Sequence, residues 1–308
     1  MARVNLALLL LPLVWLASSC QRPSALGPEP PISPAAGAFN AGWALAPLWD
    51  DGQAEVALYT ARRPQYGKLR DFETVLIVVK EDFNPAFYAK AEPPYQGRSL
   101  LPVIKLNFVQ SYWTENYPYQ FLTSVFVRRD DPTALVKLTQ SSQEWCGNTF
   151  KEIRGWTRPS EFVFHSYWDE EGDGTRPLEL RPGDLLEDQL LVSLRGLRFS
   201  PGLEVRTRLL PSLISNKLGA APRFVDATIR VADRETLTTA RGRVPAWKVS
   251  VQAGELSQTY WFAEEAPHTL LKMVSSDGRE LWLKEVRRAP YWQAATYRPE
   301  DGRLRAAK

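Results

Sequence analysis

The sequence has few of the residues that enzymes and metalloproteins commonly use. It contains two cysteines and two histidines in 308 residues. Two histidines without an H-E-x-x-H spacing do not suffice for a zinc site. Phosphate-binding loops, glycine-rich dinucleotide loops and the G-x-S-x-G elbow of serine hydrolases have no match in the sequence. We therefore predict no metal ion and no cofactor, and the composition favours a non-enzymatic protein.

Clusters of like charge are missing as well. The 38 lysines and arginines nearly balance the 35 aspartates and glutamates, and the formal net charge is +3. No run of five like charges occurs. Proteins that bind nucleic acids need basic side chains gathered on one face. The composition therefore argues against a nucleic-acid partner, while 44% hydrophobic residues is ordinary for a globular protein.

The N-terminus has the pattern of an export signal. A short positive region at residues 1–4 precedes an apolar run at residues 6–16, which is too short to cross a bilayer as a mature helix. Leu16-Ala17-Ser18-Ser19-Cys20 follows directly. This string resembles the lipobox of bacterial lipoproteins, which implies removal of residues 1–19 as a signal peptide and acylation of Cys20, for example with palmitate. An ordinary secretory signal cleaved nearby is the alternative.

The next segment is predicted to tether the folded part to a membrane through Cys20. Residues 20–42 contain five prolines among alanine, serine and glycine, a composition that does not fold by itself. As a coil the segment spans roughly 25 Å. Gln21 resembles the sorting signal for the outer membrane, so we expect a lipoprotein there that faces the periplasm. An inner-membrane or Gram-positive surface location stays open. With Cys20 acylated, Cys146 has no disulfide partner.

Strand patterns dominate from residue 43 to residue 290. Runs rich in valine, isoleucine and aromatic residues recur at intervals of roughly ten to fifteen residues, separated by turn residues. One helix is predicted at about 184–197, where Asp184 and Glu187 form a D-x-x-E arrangement like a capping box and leucines form an apolar stripe. Such a stripe must be buried. We therefore predict a mainly β fold, in which a large curved antiparallel sheet, or half-barrel, wraps around this amphipathic helix.

The predicted boundaries follow from these patterns. Residues 43–290 form a single β-rich domain, or alternatively two sub-sheets, 43–182 and 200–290, that the helix joins. Residues 291–308 come after Pro290 and are predicted to form a loose tail. No repeat of fixed period occurs in the chain.

Two blocks resemble bacterial envelope proteins of uncharacterised role. Asn107–Gly174, which contains Tyr-Pro-Tyr at 117–119 and Ser-Ser-Gln-Glu-Trp-Cys-Gly at 141–147, resembles a lipoprotein family often mislabelled as a septum-formation inhibitor. Asp184–Lys284, with Ser-Leu-Arg at 193–195, Trp-Phe at 261–262 and Asp-Gly at 277–278, resembles a periplasmic domain of unknown function. The second resemblance implies a curved antiparallel sheet around a helix, like the half-barrels of lipoprotein carriers. Neither family supplies a catalytic residue.

Cys146, His165 and Asp169 are the sharpest candidates for catalysis. A thiolate nucleophile needs a base within hydrogen-bond reach and a third group that orients the base, which Asp169 or Asp173 would provide for His165. Against this, His165 falls in a predicted strand 19 residues from Cys146. Free cysteines also tend to be buried as small hydrophobic residues. We expect Cys146 to be buried at a corner between two strands.

Aromatic side chains are abundant: 11 Trp, 11 Tyr and 13 Phe. The plain interpretation is that they fill a wide β core. The functional interpretation is that some line an apolar or glycan-stacking groove between sheet and helix, the default type of ligand site in a half-barrel. The candidates for such a groove are Trp113, Trp247, Tyr260, Trp261 and Trp282.

The sequence thus favours a lipid-anchored envelope protein without enzymatic activity. Its curved sheet is predicted to bind an apolar or amphipathic ligand, or a partner protein of the envelope. A thiol-dependent hydrolase or transferase that uses Cys146 and His165 is one alternative. A structural scaffold component of the envelope is the other.

Overall fold

The structure is a computed structural model that describes residues 37–156, 159–219, 221–240, 242–293, 297–298 and 303–304. The predicted signal peptide, Cys20 and residues 20–36 of the predicted tether lie outside these residues, as does most of the segment 294–308. Cleavage and acylation at the N-terminus therefore stay predictions.

Within the described residues, 16 strands form one sheet and two more form a separate hairpin. Of the paired strands, β10 and β11 run parallel and the others run antiparallel, so the predicted mainly β, antiparallel fold is confirmed. In chain order the strands are β1 (Ala54–Gln65), β2 (Lys68–Asn84), β3 (Ala89–Lys90), β4 (Leu101–Trp113), β5 (Pro118–Arg128), β6 (Leu135–Glu144), β7 (Gly147–Arg154), β8 (Ser160–Ser166), β9 (Asp173–Leu178), β10 (Leu185–Leu186), β11 (Glu204–Leu210), β12 (Val225–Thr239), β13 (Gly242–Ala253), β14 (Leu256–Ala263), β15 (Leu270–Ser275), β16 (Glu280–Ala289), β17 (Tyr297–Arg298) and β18 (Arg303–Leu304).

The first strand of the chain, β1, lies in the interior of the large sheet. β1 pairs with β2 on one side and with β16 on the other, so Leu58 lies opposite both Val75 and Glu285. From β2 the strands follow one another outward to the edge at β9, with the short β3 paired beside β2. The chain then crosses to the opposite edge at β10 and returns strand by strand to β16. Residues 43–182 and 200–290 thus contribute to the same sheet.

The predicted helix packs against the concave face of the sheet, but it is shorter than expected. It consists of a 3₁₀ turn at Glu187–Gln189, the α-helix α2 (Leu190–Ser193), and a second 3₁₀ turn at Leu194–Gly196. We call residues 187–196 the helical run. A further helix, α1 (Gly42–Leu45), precedes all the strands and leads into a 3₁₀ turn at Pro47–Asp50.

The capping box predicted from Asp184 and Glu187 is wrong. Leu185 and Leu186 belong to β10, and the side-chain oxygen of Gln189 accepts the hydrogen bond from the Leu186 N–H at 3.1 Å. Asp184 instead accepts a hydrogen bond from the Arg181 N–H at 2.7 Å, and Glu187 pairs with an arginine of the sheet. Asp184 also pairs with Arg208 at 2.5 Å. Because tertiary ion pairs use both carboxylates, neither is available as a cap.

The main core lies between the helical run and the concave face of the sheet. Alternate side chains of each strand point into it, such as Tyr59 and Ala61 of β1, and Leu190 and Leu194 fill its centre. A fully buried leucine contributes about 1.5–3 kcal/mol. Isolated helices this short are unstable in water, so burial of the leucine stripe is what stabilises the helical run.

Because neighbouring strands are antiparallel, their connections alternate between two rims of the sheet. One rim, which we call the upper rim, carries the segment 211–219 that follows β11. It also carries the loops 66–67, 114–117, 145–146, 167–172, 254–255 and 276–279. The lower rim carries the loops 129–134 and 264–269 and the residues before β1. The helical run starts at the upper rim, where Asp188 contacts Ser212, and ends at the lower rim, where Arg195 contacts Glu55.

Candidate functional site

A cavity of about 370 Å³ opens at the upper rim, between the start of the helical run and the middle of the sheet. Small-molecule sites commonly occupy about 300–1,000 Å³ and have apolar walls with a few polar groups. The cavity has this character. Its apolar lining includes Phe72, Phe108, Leu191, Ile214, Met273 and Leu281.

An ion-pair network forms one polar wall of the cavity. Glu187, the first residue of the helical run, lies 2.7 Å from Arg279 and accepts a hydrogen bond from Gln258 at 2.9 Å. Arg279 also lies 2.6 Å from Asp277. Burial alone would lower the pKa of Arg279, but these two carboxylates raise it above its ordinary value. The network therefore carries fixed, paired charges.

Asp188 fixes the segment 211–219 beside the cavity. One of its oxygens accepts a hydrogen bond from the Ser212 hydroxyl at 2.6 Å, and the other accepts one from the Leu213 N–H at 2.8 Å. Burial, together with the neighbouring Glu187, raises the pKa of the Asp188 carboxyl. Both oxygens have protein partners, so Asp188 is not free to bind a ligand.

The same segment covers the concave face of β6–β8. The Lys151 ammonium donates hydrogen bonds to the carbonyls of Leu213 at 2.8 Å and Ser215 at 3.1 Å. Thr149 and Trp168 both donate to the carbonyl of Asn216 at 2.7 Å. The space on this side of the helical run is thus occupied by protein, and the cavity is confined to the other side.

Arg63 lies across the cavity from the acidic wall. It is on β1, and its guanidinium donates hydrogen bonds to the side-chain oxygen of Gln110 at 3.0 Å and to the Ile214 carbonyl at 3.2 Å. The guanidinium carbon lies 5.0 Å from the ring centre of Phe121 and 5.8 Å from that of Tyr112. Burial lowers the pKa of Arg63 below its ordinary value.

A stack of aromatic rings connects this arginine to the upper rim. Tyr112 stacks on Tyr119 at 6.0 Å, Tyr119 on Tyr117 at 5.6 Å, and Tyr117 on Trp145 at 6.0 Å. Trp145 is 73% exposed, although it packs against other rings. Aromatic rings of this kind provide both apolar area and favourable edge or face contacts.

Of the five aromatic residues predicted to line a groove, Tyr260 lines this cavity. Trp113 is exposed on the upper rim and packs edge-on against Trp145 at 6.3 Å. Trp247 stacks on Phe199 at 5.6 Å, toward the lower rim. Trp261 and Trp282 lie on the convex face, on either side of the Lys272 ammonium, with ring centres at 4.4 and 3.9 Å.

Cys146 and His165 are not brought together. His165 pairs across β7 and β8 with Phe150, which is four residues from Cys146. Four strand residues span about 13 Å. The His165 ring nitrogen Nδ1 lies 3.4 Å from Asp173 rather than next to Asp169. This arrangement places no base beside the thiol.

The expectation that Cys146 is buried is wrong. Cys146 is exposed, and its Sγ lies 3.3 Å from the Tyr117 hydroxyl. It occupies the two-residue turn between β6 and β7, with Trp145 as the other turn residue. Side chains in so short a turn extend beyond the end of both strands, where the concave core does not reach them.

Sequence reasoning missed Arg63, Gln110, Glu187 and Arg279 as lining residues. A signal existed for Arg63, because strand alternation from Tyr59 and Ala61 places it on the inward face of β1. No such local signal links Glu187 to Arg279, which are 92 residues apart.

No protein-family model matches the sequence, and no curated protein matches it either. No helix in the described part of the chain is long and apolar enough to cross a membrane. Within the same residues, no group of three or more His, Cys, Asp or Glu side chains is placed to hold a metal ion.

Proposed function

We propose that the protein is a lipid-anchored component of the bacterial envelope that binds one apolar or amphipathic ligand in the upper-rim cavity, without catalysing a reaction on it. The observation that carries this proposal is the cavity itself. Its volume of about 370 Å³ is in the lower part of the range of small-molecule sites. One acyl chain, or a ring system of similar bulk, suits such a volume better than a complete lipid with several chains.

The distribution of polar groups supports an amphipathic ligand over a purely apolar one. Phe108, Leu191 and Met273 offer an apolar wall that would shield a hydrocarbon chain from water. Gln110 and Arg63 belong to the same lining and offer polar groups to the polar end of such a ligand. Binding of this kind needs no nucleophile, which agrees with the separation of Cys146 from His165.

The membrane anchor rests on the N-terminal sequence. The lipobox-like string before Cys20 favours acylation, and the proline-rich tether would hold the folded part about 25 Å from the lipid surface. Gln21 favours the outer membrane, with the folded part in the periplasm. The first described residues lie at the lower rim, where Asn40 donates a hydrogen bond to the Gly196 carbonyl at 2.7 Å. The cavity mouth would then be at the end of the molecule opposite the anchor.

A dye-binding titration tests the ligand site. The full chain with Cys20→Ser, which prevents acylation, is titrated with the neutral apolar dye N-phenylnaphthylamine. We expect saturable binding by this protein. Ile214→Trp fills the cavity and should weaken binding by at least about tenfold. Leu122→Trp makes a comparable change on an exposed part of the convex face and should leave the affinity unchanged.

The titration also gives the results that would refute the proposal. Binding that does not saturate, or that is the same in Ile214→Trp and in the parent protein, means that the dye is not held in the cavity. Far-UV circular dichroism and thermal unfolding of each variant show whether a loss of binding comes from a loss of folded protein.

A further inference from the structure

Arg63 is a cavity-lining cation without a counter-ion. Among the described residues, no carboxylate lies within ion-pair distance of its guanidinium. The other two arginines of the lining are paired: Arg279 lies 2.7 Å from Glu187, and Arg62 lies 2.7 Å from Asp71. A buried charge with no partner lowers the stability of the folded state, so an unpaired arginine at a cavity is a feature that needs a physical explanation.

The guanidinium is held in place but retains free donors. It has five N–H donors. One terminal nitrogen donates to Gln110 and the other to the Ile214 carbonyl, while Nε is enclosed and has no hydrogen-bond partner. The rings of Phe121 and Tyr112 lie beside it. Neutral partners therefore set its position without neutralising its charge.

The carboxylates of the lining do not supply the missing charge. Glu187 and Asp277 share Arg279, at 2.7 and 2.6 Å, and Glu280 lies 3.9 Å from Arg62. Asp188 accepts hydrogen bonds from Ser212 and Leu213 with its two oxygens. The lining carboxylates thus have hydrogen-bond or ion-pair partners of their own, whereas Arg63, on the side of β1, is a lining cation that no carboxylate of the described residues meets at ion-pair distance.

We propose that Arg63 binds the anionic head group, a carboxylate or a phosphate, of an amphipathic ligand whose hydrocarbon part lies against Phe72, Phe108 and Met273. This inference rests on the proposed function and specifies the class of ligand. The planar guanidinium matches the geometry of both oxyanions, and charge-assisted hydrogen bonds are roughly twice as strong as neutral ones. A ligand of this class would provide the counter-ion and the apolar contacts together.

The test compares two ligands with the same chain length, one with an anionic carboxylate head group and one with a neutral hydroxyl. Displacement of N-phenylnaphthylamine from the full chain with Cys20→Ser gives the affinities of palmitate and of hexadecanol, its neutral alcohol. We expect palmitate to bind at least about tenfold more tightly. Arg63→Met should abolish this preference and leave the affinity for hexadecanol within about twofold, since methionine keeps the apolar stem.

Two variants serve as controls. Arg70→Met removes an arginine from the same rim that lies outside the cavity lining and is paired with Glu115 at 2.7 Å, so the preference for palmitate should persist. Arg63→Lys keeps the charge but not the planar fork and should retain part of the preference. Retained binding of hexadecanol by Arg63→Met shows that this variant is folded.

The remaining outcomes distinguish a failure of the head-group site from a failure of the proposed function. If the parent protein binds palmitate and hexadecanol equally, or if Arg63→Met weakens both equally, the head-group site is refuted while the proposed apolar site stands. If the parent protein binds neither lipid nor dye, the proposed function fails. If inorganic phosphate alone displaces the dye as effectively as palmitate, the ligand is a free anion and the amphipathic ligand is refuted.

Discussion

Arg195 and Glu55 form an ion pair at 2.7 Å with 0% and 4% of their side chains exposed. Arg195 is in the last turn of the helical run, and Glu55 is near the start of β1. Thr269, in the loop between β14 and β15, also donates a hydrogen bond to Glu55 at 3.0 Å. The pair therefore fastens the lower end of the helical run to the central strand of the sheet.

Removal of Arg195 alone should strongly destabilise the protein. In Arg195→Met the Glu55 carboxylate would stay buried without its counter-ion, and such losses cost about 3–5 kcal/mol. Urea unfolding at neutral pH measures the change in the free energy of unfolding. In Arg195→Met with Glu55→Leu no charge is left unpaired, so most of the stability should return. A change below about 1 kcal/mol for Arg195→Met would contradict this role.

The lowered pKa of Lys151 predicts a pH-dependent contribution to the free energy of unfolding. Burial lowers the pKa of its ammonium to about 8 in the folded protein, from an ordinary 10.5. As the pH rises above 8, the folded protein loses this proton before the unfolded chain does, so folding becomes more favourable. Between pH 8 and pH 9.5, the free energy of unfolding of the parent protein should rise by about 1–2 kcal/mol relative to that of Lys151→Met.

Comparison with Lys151→Met is necessary because other groups titrate in the same range and their effects cancel in the difference. Urea unfolding at several pH values gives both curves. A difference that stays constant from pH 8 to pH 9.5 would mean that the Lys151 ammonium keeps its ordinary pKa in the folded state.

Cys146 should react readily in the folded protein. In the chain with Cys20→Ser it is the single thiol, and its exposed position predicts that iodoacetamide alkylates native and urea-unfolded protein at rates within about threefold. His165→Ala should not change the native rate, because His165 pairs with Phe150, about 13 Å along the strand from Cys146. A slower reaction in His165→Ala would instead indicate a thiol activated by histidine and would favour the enzymatic alternative.

Acylation of Cys20 predicts a specific labelling pattern. In a bacterial host with the lipoprotein pathway, radioactive palmitate should enter the parent chain and Cys146→Ser, but not Cys20→Ser. The two serine variants change the same chemical group at different positions, so each serves as the control of the other. Label in Cys20→Ser would exclude the lipobox interpretation.

The fold class was predictable because it depends on local patterns. Alternating residues along segments such as Val103–Val109 require a strand with two different faces, and a leucine stripe requires an apolar surface to cover it. The extent of the helical run was not predictable in the same way. Asp184 and Glu187 look like caps in the sequence, and only their pairing with distant arginines shows why they are not.

The cavity was harder to predict than the sheet. The strand pattern at residues 54–60 suggests an end at Thr60, and Pro64-Gln65-Tyr66-Gly67 is a turn signal. In the structure β1 continues to Gln65, and the turn is formed by Tyr66 and Gly67. This difference of five residues decides whether Arg63 is a solvated loop residue or an inward-facing one. Whether a carboxylate lies within ion-pair distance of Arg63 depends on non-local packing that the sequence does not reveal.

The central position of the β1–β16 pair has a consequence for synthesis. It joins residues more than 200 positions apart, such as Leu58 and Glu285. While the polypeptide is being made, β1 presents an unpaired backbone edge until the last strand of the sheet emerges, and contacts at such separation form slowly. A nonsense mutation shortly before residue 280 would therefore leave a gap in the interior of the sheet and open β1 to pairing with other chains. A stop codon after residue 290 would spare this strand pair.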